Sequence, residues 1–120
     1  MTTDREWGYR KLRVWEVADR LAHEVYRVTK AFPPTEQFGL TSQLRRAALS
    51  IPTNLVEGHA RKSRKEFRQF VSIALGSLAE VEYLLGFSEA EGFLSEQGYK
   101  EAEVFRQETG RLLWAFHESL

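Results

Sequence analysis

Four segments in which apolar residues return every third or fourth position, each closed off by chain breakers, constrain this sequence more than any other feature. In the first, about Leu12 to Phe32, the residues Leu12, Trp15, Ala18, Leu21, Ala22, Val25 and Phe32 step at helical spacing. The run FPPTEQFG ends it, because paired prolines cannot continue a helix. A second segment, about Thr41 to His59, sets Leu44, Ala47, Ala48, Ile51 and Leu55 on one stripe, with Gly58 where a helix could close. Ser63 and Glu66 have the spacing of a capping box and open a third helix, which carries Phe67, Phe70, Val71, Ala74, Leu78, Val81 and Leu85 inward and ends near EAEGF. Ser95 starts the fourth, with Ala102, Phe105, Leu112, Leu113 and Phe116 as its stripe.

No segment alternates as a strand does, and 120 residues suffice for one core. The expected fold is all-α, an up-down-up-down antiparallel four-helix bundle spanning residues 1–120, with 1–10 as a flexible arm. At 42% hydrophobic and 28% charged residues the composition is that of a globular chain. Charges recur along it and the amino terminus lacks an apolar leader, so neither a membrane span nor a secretory signal is expected, and the expected location is cytoplasmic.

Net charge is zero, but the average hides an asymmetry. Through residue 70 fourteen lysines and arginines stand against eight acids, and from residue 71 onward three stand against nine. In the bundle topology the start of helix one, the end of helix two and the start of helix three share one end. Arg10, Lys11 and Arg13 should therefore meet Arg61, Lys62, Arg64, Lys65 and Arg68, with Trp7 and Tyr9 nearby, while Glu36, Glu89, Glu91 and Glu96 collect at the other end. Arg64, Lys65 and Arg68 crowd a helix start, where the macrodipole disfavours cations, so an anionic partner such as RNA or DNA phosphate is the expected ligand.

Catalytic chemistry does not assemble. His23, His59 and His117 are scattered, there is no cysteine, and the Glu-x-x-His pairs of di-iron bundles are missing, as are the glycine-rich phosphate loops and the nucleophile elbow. Neither metal nor cofactor is expected, and the chain reads as a non-enzyme. Glu57 and Glu80 are expected to pair with arginines, and Arg45, Arg46, Asn54, Glu57 and Glu80 to form a polar network that holds helix two in register or meets a neighbouring subunit.

Helix two is expected to bend, and surplus apolar surface on helices one, two and four points to self-association. Pro52 lies inside helix two, where its missing N–H and its ring predict a kink at a cost of about 3 kcal/mol. Leu49 and Val56 project nearly opposite the core stripe of that helix, and Trp114 faces away from the stripe of helix four. The three are therefore expected at subunit contacts.

The stretches YRKLRVWEVADRLAHEVY, FPPTEQFGLTSQLRRAALSIPTNLVEGHAR and FRQFVSIALGSLAEVEYLL resemble the four-helix-bundle family named for 23S ribosomal RNA intervening-sequence proteins. Its most specific block is Gln43, Arg45, Arg46, Ala47, Ser50, Ile51, Pro52, Asn54, Glu57 and Gly58, supported by Phe32, Pro33, Glu36, Gly39, Leu40, Ala74, Ser77 and Glu80. The resemblance implies a ring-shaped homopentamer without established enzymatic activity. It also implies kinship with the accessory variability determinant of diversity-generating retroelements, which binds nucleic acid and a reverse transcriptase. Alongside the nucleic-acid reading stands a second one, a protein-interaction scaffold whose charged end serves only solubility.

Overall fold

The computed structural model describes residues 8–120. A 3-10 turn, Gly8–Lys11, leads into α1 (Arg13–Thr29); a second, Pro34–Glu36, precedes α2 (Leu40–His59), and α3 (Arg64–Ala90) and α4 (Glu96–Ser119) follow. Each long helix packs on two others in the order α1, α2, α3, α4 and back to α1, and the diagonal pairs do not meet. Short connections between successive neighbours make this an up-down-up-down antiparallel four-helix bundle. Of the expected arm, residues 8–10 belong to the first turn and residues 1–7, Trp7 among them, lie outside the described residues.

Local chemistry explains where the helices begin and end. Ser63 Oγ accepts the Glu66 amide at 3.1 Å and donates to the Glu66 carboxylate at 3.0 Å, a capping interaction that Ser63→Ala should remove at a cost of about 1 kcal/mol in denaturant unfolding. Ser95 Oγ does the same for the Gly98 amide at 2.9 Å. Gly39 has no side chain to cap α2, and the Glu36 carboxylate takes the Leu40 amide instead, at 3.1 Å. Gly92, at φ +80°, ends α3 in a left-handed turn whose Phe93 and Gly92 amides bond back to the Ser88 and Glu89 carbonyls.

The core is the expected one. Leu21, Val25, Leu44, Ile51, Leu55, Val71, Val81, Leu85 and Leu113 are fully buried, each large side chain contributing about 1.5–3 kcal/mol. Helix α2 runs unbroken through Pro52, whose ring is buried. Gly58 lies in the closing turn of α2, as expected, and its carbonyl accepts the Arg61 amide at 3.0 Å; it also has a second role, because at its negative φ a Cβ would lie 2.7 Å from Phe67 Cδ1 and 2.9 Å from Phe70 Cβ. It is a contact point where α2 and α3 close on each other, and the helix ends beyond it.

A basic end and two apolar faces

The molecule is 47 Å long, several times the Debye length of about 8 Å in physiological salt, so its two ends act as separate electrostatic surfaces. The 3-10 turn, the start of α1, the end of α2 and the start of α3 share one end, which brings the eight predicted cations together. Their chemical states differ. Arg13 donates to Glu108 at 3.1 Å and lies 3.5 Å from Glu16, and Arg64 donates to the Ser119 carbonyl. Arg10 stacks on Tyr9 and Arg61 on Phe70, with centroid distances of 5.0 and 4.8 Å. Lys62, Lys65 and Arg68 are exposed and have no side-chain partner among the described residues. They are the cations this end holds open to solvent, and they surround the positive pole of α3.

The expected polar network divides into separate parts. Arg45 Nε donates to Thr29 Oγ1 at 2.8 Å while its guanidinium stacks on Tyr26 at 4.6 Å, tying α2 to the end of α1. Asn54 donates to Ser50 Oγ at 2.9 Å, and Ser77 of α3 donates to the same oxygen at 2.9 Å. Contrary to expectation, Glu80 takes Gln43 at 3.4 Å and no arginine, and neither Arg46 nor Glu57 has a side-chain partner among the described residues. Arg46 and Glu80 instead line an open cleft of about 480 Å³ between α2 and α3, together with Phe38, Gln43, Ser50 and Ser77.

The predicted association residues also part company. Leu49 is exposed and lines a groove between α1 and α2 with Ala22 and Tyr26, whereas Trp114 is exposed on a groove between α3 and α4. These faces are on opposite sides of the bundle, and Val56 is half-buried, so the three do not form one patch.

A larger apolar surface escaped the sequence reading. The 27-residue α3 holds an 18-residue window apolar enough by length and composition to cross a membrane, yet only 33% of it is buried. One side of α3 packs into the core against α2 and α4. On the other, Ile73, Glu80, Tyr83 and Phe87 fall within an arc of about 80° at 100° per residue. Ile73 and Tyr83 are 54% and 68% exposed, and Phe38 beside the α2–α3 cleft is 90% exposed. The spacing 73, 80, 83, 87 was the available signal, hidden because the inward stripe of the same helix is also apolar.

Ser72 of α3 meets His117 and Glu118, neighbours near the end of α4, in the fold. Ser72 Oγ lies 3.1 Å from His117 Nε2, and His117 Nδ1 lies 3.6 Å from Glu118. Ser72 is inside α3, so its own amide is spent on the helix ladder and does not form an oxyanion hole. Its hydroxyl also donates to the Arg68 carbonyl at 3.1 Å, and the row is a tie between α3 and α4. Among the described residues no three His, Asp or Glu side chains are grouped to hold a metal ion. A partly buried ionic cluster, Arg106 with Glu103 at 2.5 Å and Glu82 at 2.7 Å, bridges α4 to α3, and its hydrogen bond to Glu103 pushes the Arg106 guanidinium above its ordinary range.

Comparison with known proteins places this architecture. No curated protein sequence matches the chain. Among solved structures it is similar to a protein of unknown function from the S23 ribosomal protein family of Bacteroides thetaiotaomicron, with a TM-score of 0.80, 23% identity, and coverage of 87% of this chain and 97% of that one. At that identity the likeness shows the fold alone. The model of the 23S rRNA-intervening sequence protein family matches residues 10–115, nearly the whole described chain including the end of the 3-10 turn and all of α1 to α3, and the protein belongs to that family.

Proposed function

We propose that the protein is a non-enzymatic, self-associating helical bundle that binds structured RNA or another nucleic acid through its basic end. The observation that carries the reading is the trio Lys62, Lys65 and Arg68, exposed around the start of α3 with no side-chain partner among the described residues, Lys65 standing in the first turn, where the helix dipole disfavours a cation. No ion pair among the described residues holds these charges in place, and a phosphate backbone would complement them. Arg10 on Tyr9 and Arg61 on Phe70 border the trio with flat cationic surfaces suited to phosphate or to an unstacked base. Assembly into a ring, five-membered as the family resemblance implies, would set these ends side by side and convert weak single contacts into avidity.

The test is fluorescence anisotropy of a labelled structured RNA, titrated with protein from low to high salt. Binding that weakens linearly in log–log form supports the reading. Absence of binding at low salt overturns it and leaves the scaffold reading, for which the exposed apolar face of α3 is the supporting observation. In that case the bundle would recruit another protein, a reverse transcriptase being the class of partner its retroelement kinship suggests.

A further inference from the structure

Trp114 is 56% exposed, and neither the core nor the apolar arc of α3 gives it a task. It lines a groove of about 380 Å³ between α3 and α4, beside the small residues Ala79 and Gly110. The outer seam of α3, the arc of Ile73, Glu80, Tyr83 and Phe87, is turned away from this groove, whose α3 side comes from Leu75, Ala79 and Glu82. The indole touches His117 edge-on, with centroids 5.9 Å apart, and more than half of its surface stays open.

Charge along the groove is unevenly committed. Arg106 is paired with Glu82 at 2.7 Å and with Glu103 at 2.5 Å, and Glu118, one turn beyond Trp114, is turned to His117 at 3.6 Å. Arg111 lines the groove, is exposed and has no side-chain partner among the described residues. It stands about 4.5 Å along the helix from Trp114. A flat aromatic surface and an available guanidinium are thus neighbours on the rim of one channel.

The channel is aligned with the basic end. Ser72 meets His117 at 3.1 Å and Glu82 meets Arg106, so α3 and α4 run past each other in opposite directions and Trp114 is level with about residue 74 of α3. Arg68 precedes Leu75 by about two helical turns and therefore projects on the groove side of α3. From Arg68 to the level of Trp114 is about 9 Å along the axis, the length of two to three stacked nucleotides at about 3.4 Å each. Cation, ring and cation follow one another at distances a single strand can match. Only an unpaired base can use the ring, because a base inside a duplex already has both faces stacked.

Resting on the nucleic-acid reading above, we propose that the α3–α4 groove takes the unpaired strand running on from a base-paired segment held at the basic end. Arg68 receives a phosphate at the mouth of the groove, a base stacks on Trp114, and Arg111 receives a phosphate beyond it.

Fluorescence anisotropy with two labelled hairpin RNAs tests it, one blunt and one carrying short unpaired tails at both ends of the strand. Wild type is expected to bind the tailed hairpin about tenfold more tightly, the contribution of roughly one stacked base. Trp114→Ala is expected to remove that gain and leave affinity for the blunt hairpin unchanged. Arg111→Gln is expected to make the log–log salt slope shallower by about 0.7 on the tailed hairpin alone. A wild type that binds both hairpins equally, or a tail preference that Trp114→Ala retains, overturns the groove while leaving binding at the basic end standing. Absence of binding to either hairpin at low salt removes both. Circular dichroism checks that the variants fold. Should Trp114→Ala fail to, Trp114→Leu keeps the apolar bulk without the ring, and a tail preference retained there overturns the proposal.

Discussion

Reversing Lys62, Lys65 and Arg68 together to glutamate is expected to abolish RNA binding at physiological salt while leaving helicity and thermal unfolding close to wild type. All three side chains are exposed and have no side-chain partner among the described residues, so the described fold does not depend on them. If each neutralises one phosphate, the wild-type log–log salt slope is about −2 to −3 per chain, and affinity should fall about 20–40-fold between 50 and 200 mM salt. The proposed assembly would multiply that slope, because neighbouring ends would engage one nucleic acid together. Arg13→Gln provides the contrast. Its guanidinium is already committed to Glu108 and Glu16, so its loss should lower affinity far less than the triple reversal. Equal effects from the two variants would mean that the open trio is not the binding surface.

Gly58→Val is expected to be among the most damaging single substitutions. A residue inside a helix ordinarily gains about 0.5–1 kcal/mol when glycine becomes alanine. Here even the first added carbon would stand 2.9 Å from Phe70 Cβ, an atom fixed to the backbone of α3, and 2.7 Å from the Phe67 ring. That ring is itself held edge-on between His59 and Phe116, with centroid distances of 6.0 and 5.2 Å, so it has little room to withdraw. The α2–α3 corner must open, at a cost of about 1–3 kcal/mol or more for a branched side chain. Denaturant unfolding of Gly58→Ala and Gly58→Val measures it: Ala should already be destabilised against its helix propensity and Val more so. A stabilised Gly58→Ala would contradict the steric account.

Much of this architecture was legible because local and tertiary signals agreed. The capping serines Ser63 and Ser95 fixed two helix starts, and the FPP run fixed a stop, since each acts through its immediate neighbours. Gly58 was legible as the closing turn of α2, but its steric role was not, since that depends on Phe67 and Phe70 of the next helix and no spacing within α2 encodes the contact. Glu80 and Glu57 were expected to meet arginines, but the nearby Arg45 turns to Thr29 and Tyr26 on the α1 side. Pairing is a property of helix faces, and a sequence offers only candidates for it. The basic end followed from topology once four helices were counted, whereas which of its eight cations remain open required the positions of Glu108 and of the Ser119 carbonyl. The α3 seam went unseen because a helix apolar on both sides loses the contrast on which periodicity depends.

That two-sided apolar helix is also the observation on which the proposed self-association rests. A monomer leaves Ile73 and Tyr83 more than half exposed on its longest helix, with Phe38 almost wholly so beside it. In the proposed assembly a second copy would cover what the bundle itself does not. Sedimentation equilibrium of the wild-type protein, from high micromolar to nanomolar concentration, addresses this most directly. A folded assembly whose mass is a whole-number multiple of 13.9 kDa, about 70 kDa for five copies, is the predicted result. A stably helical species of 13.9 kDa at every concentration would contradict it.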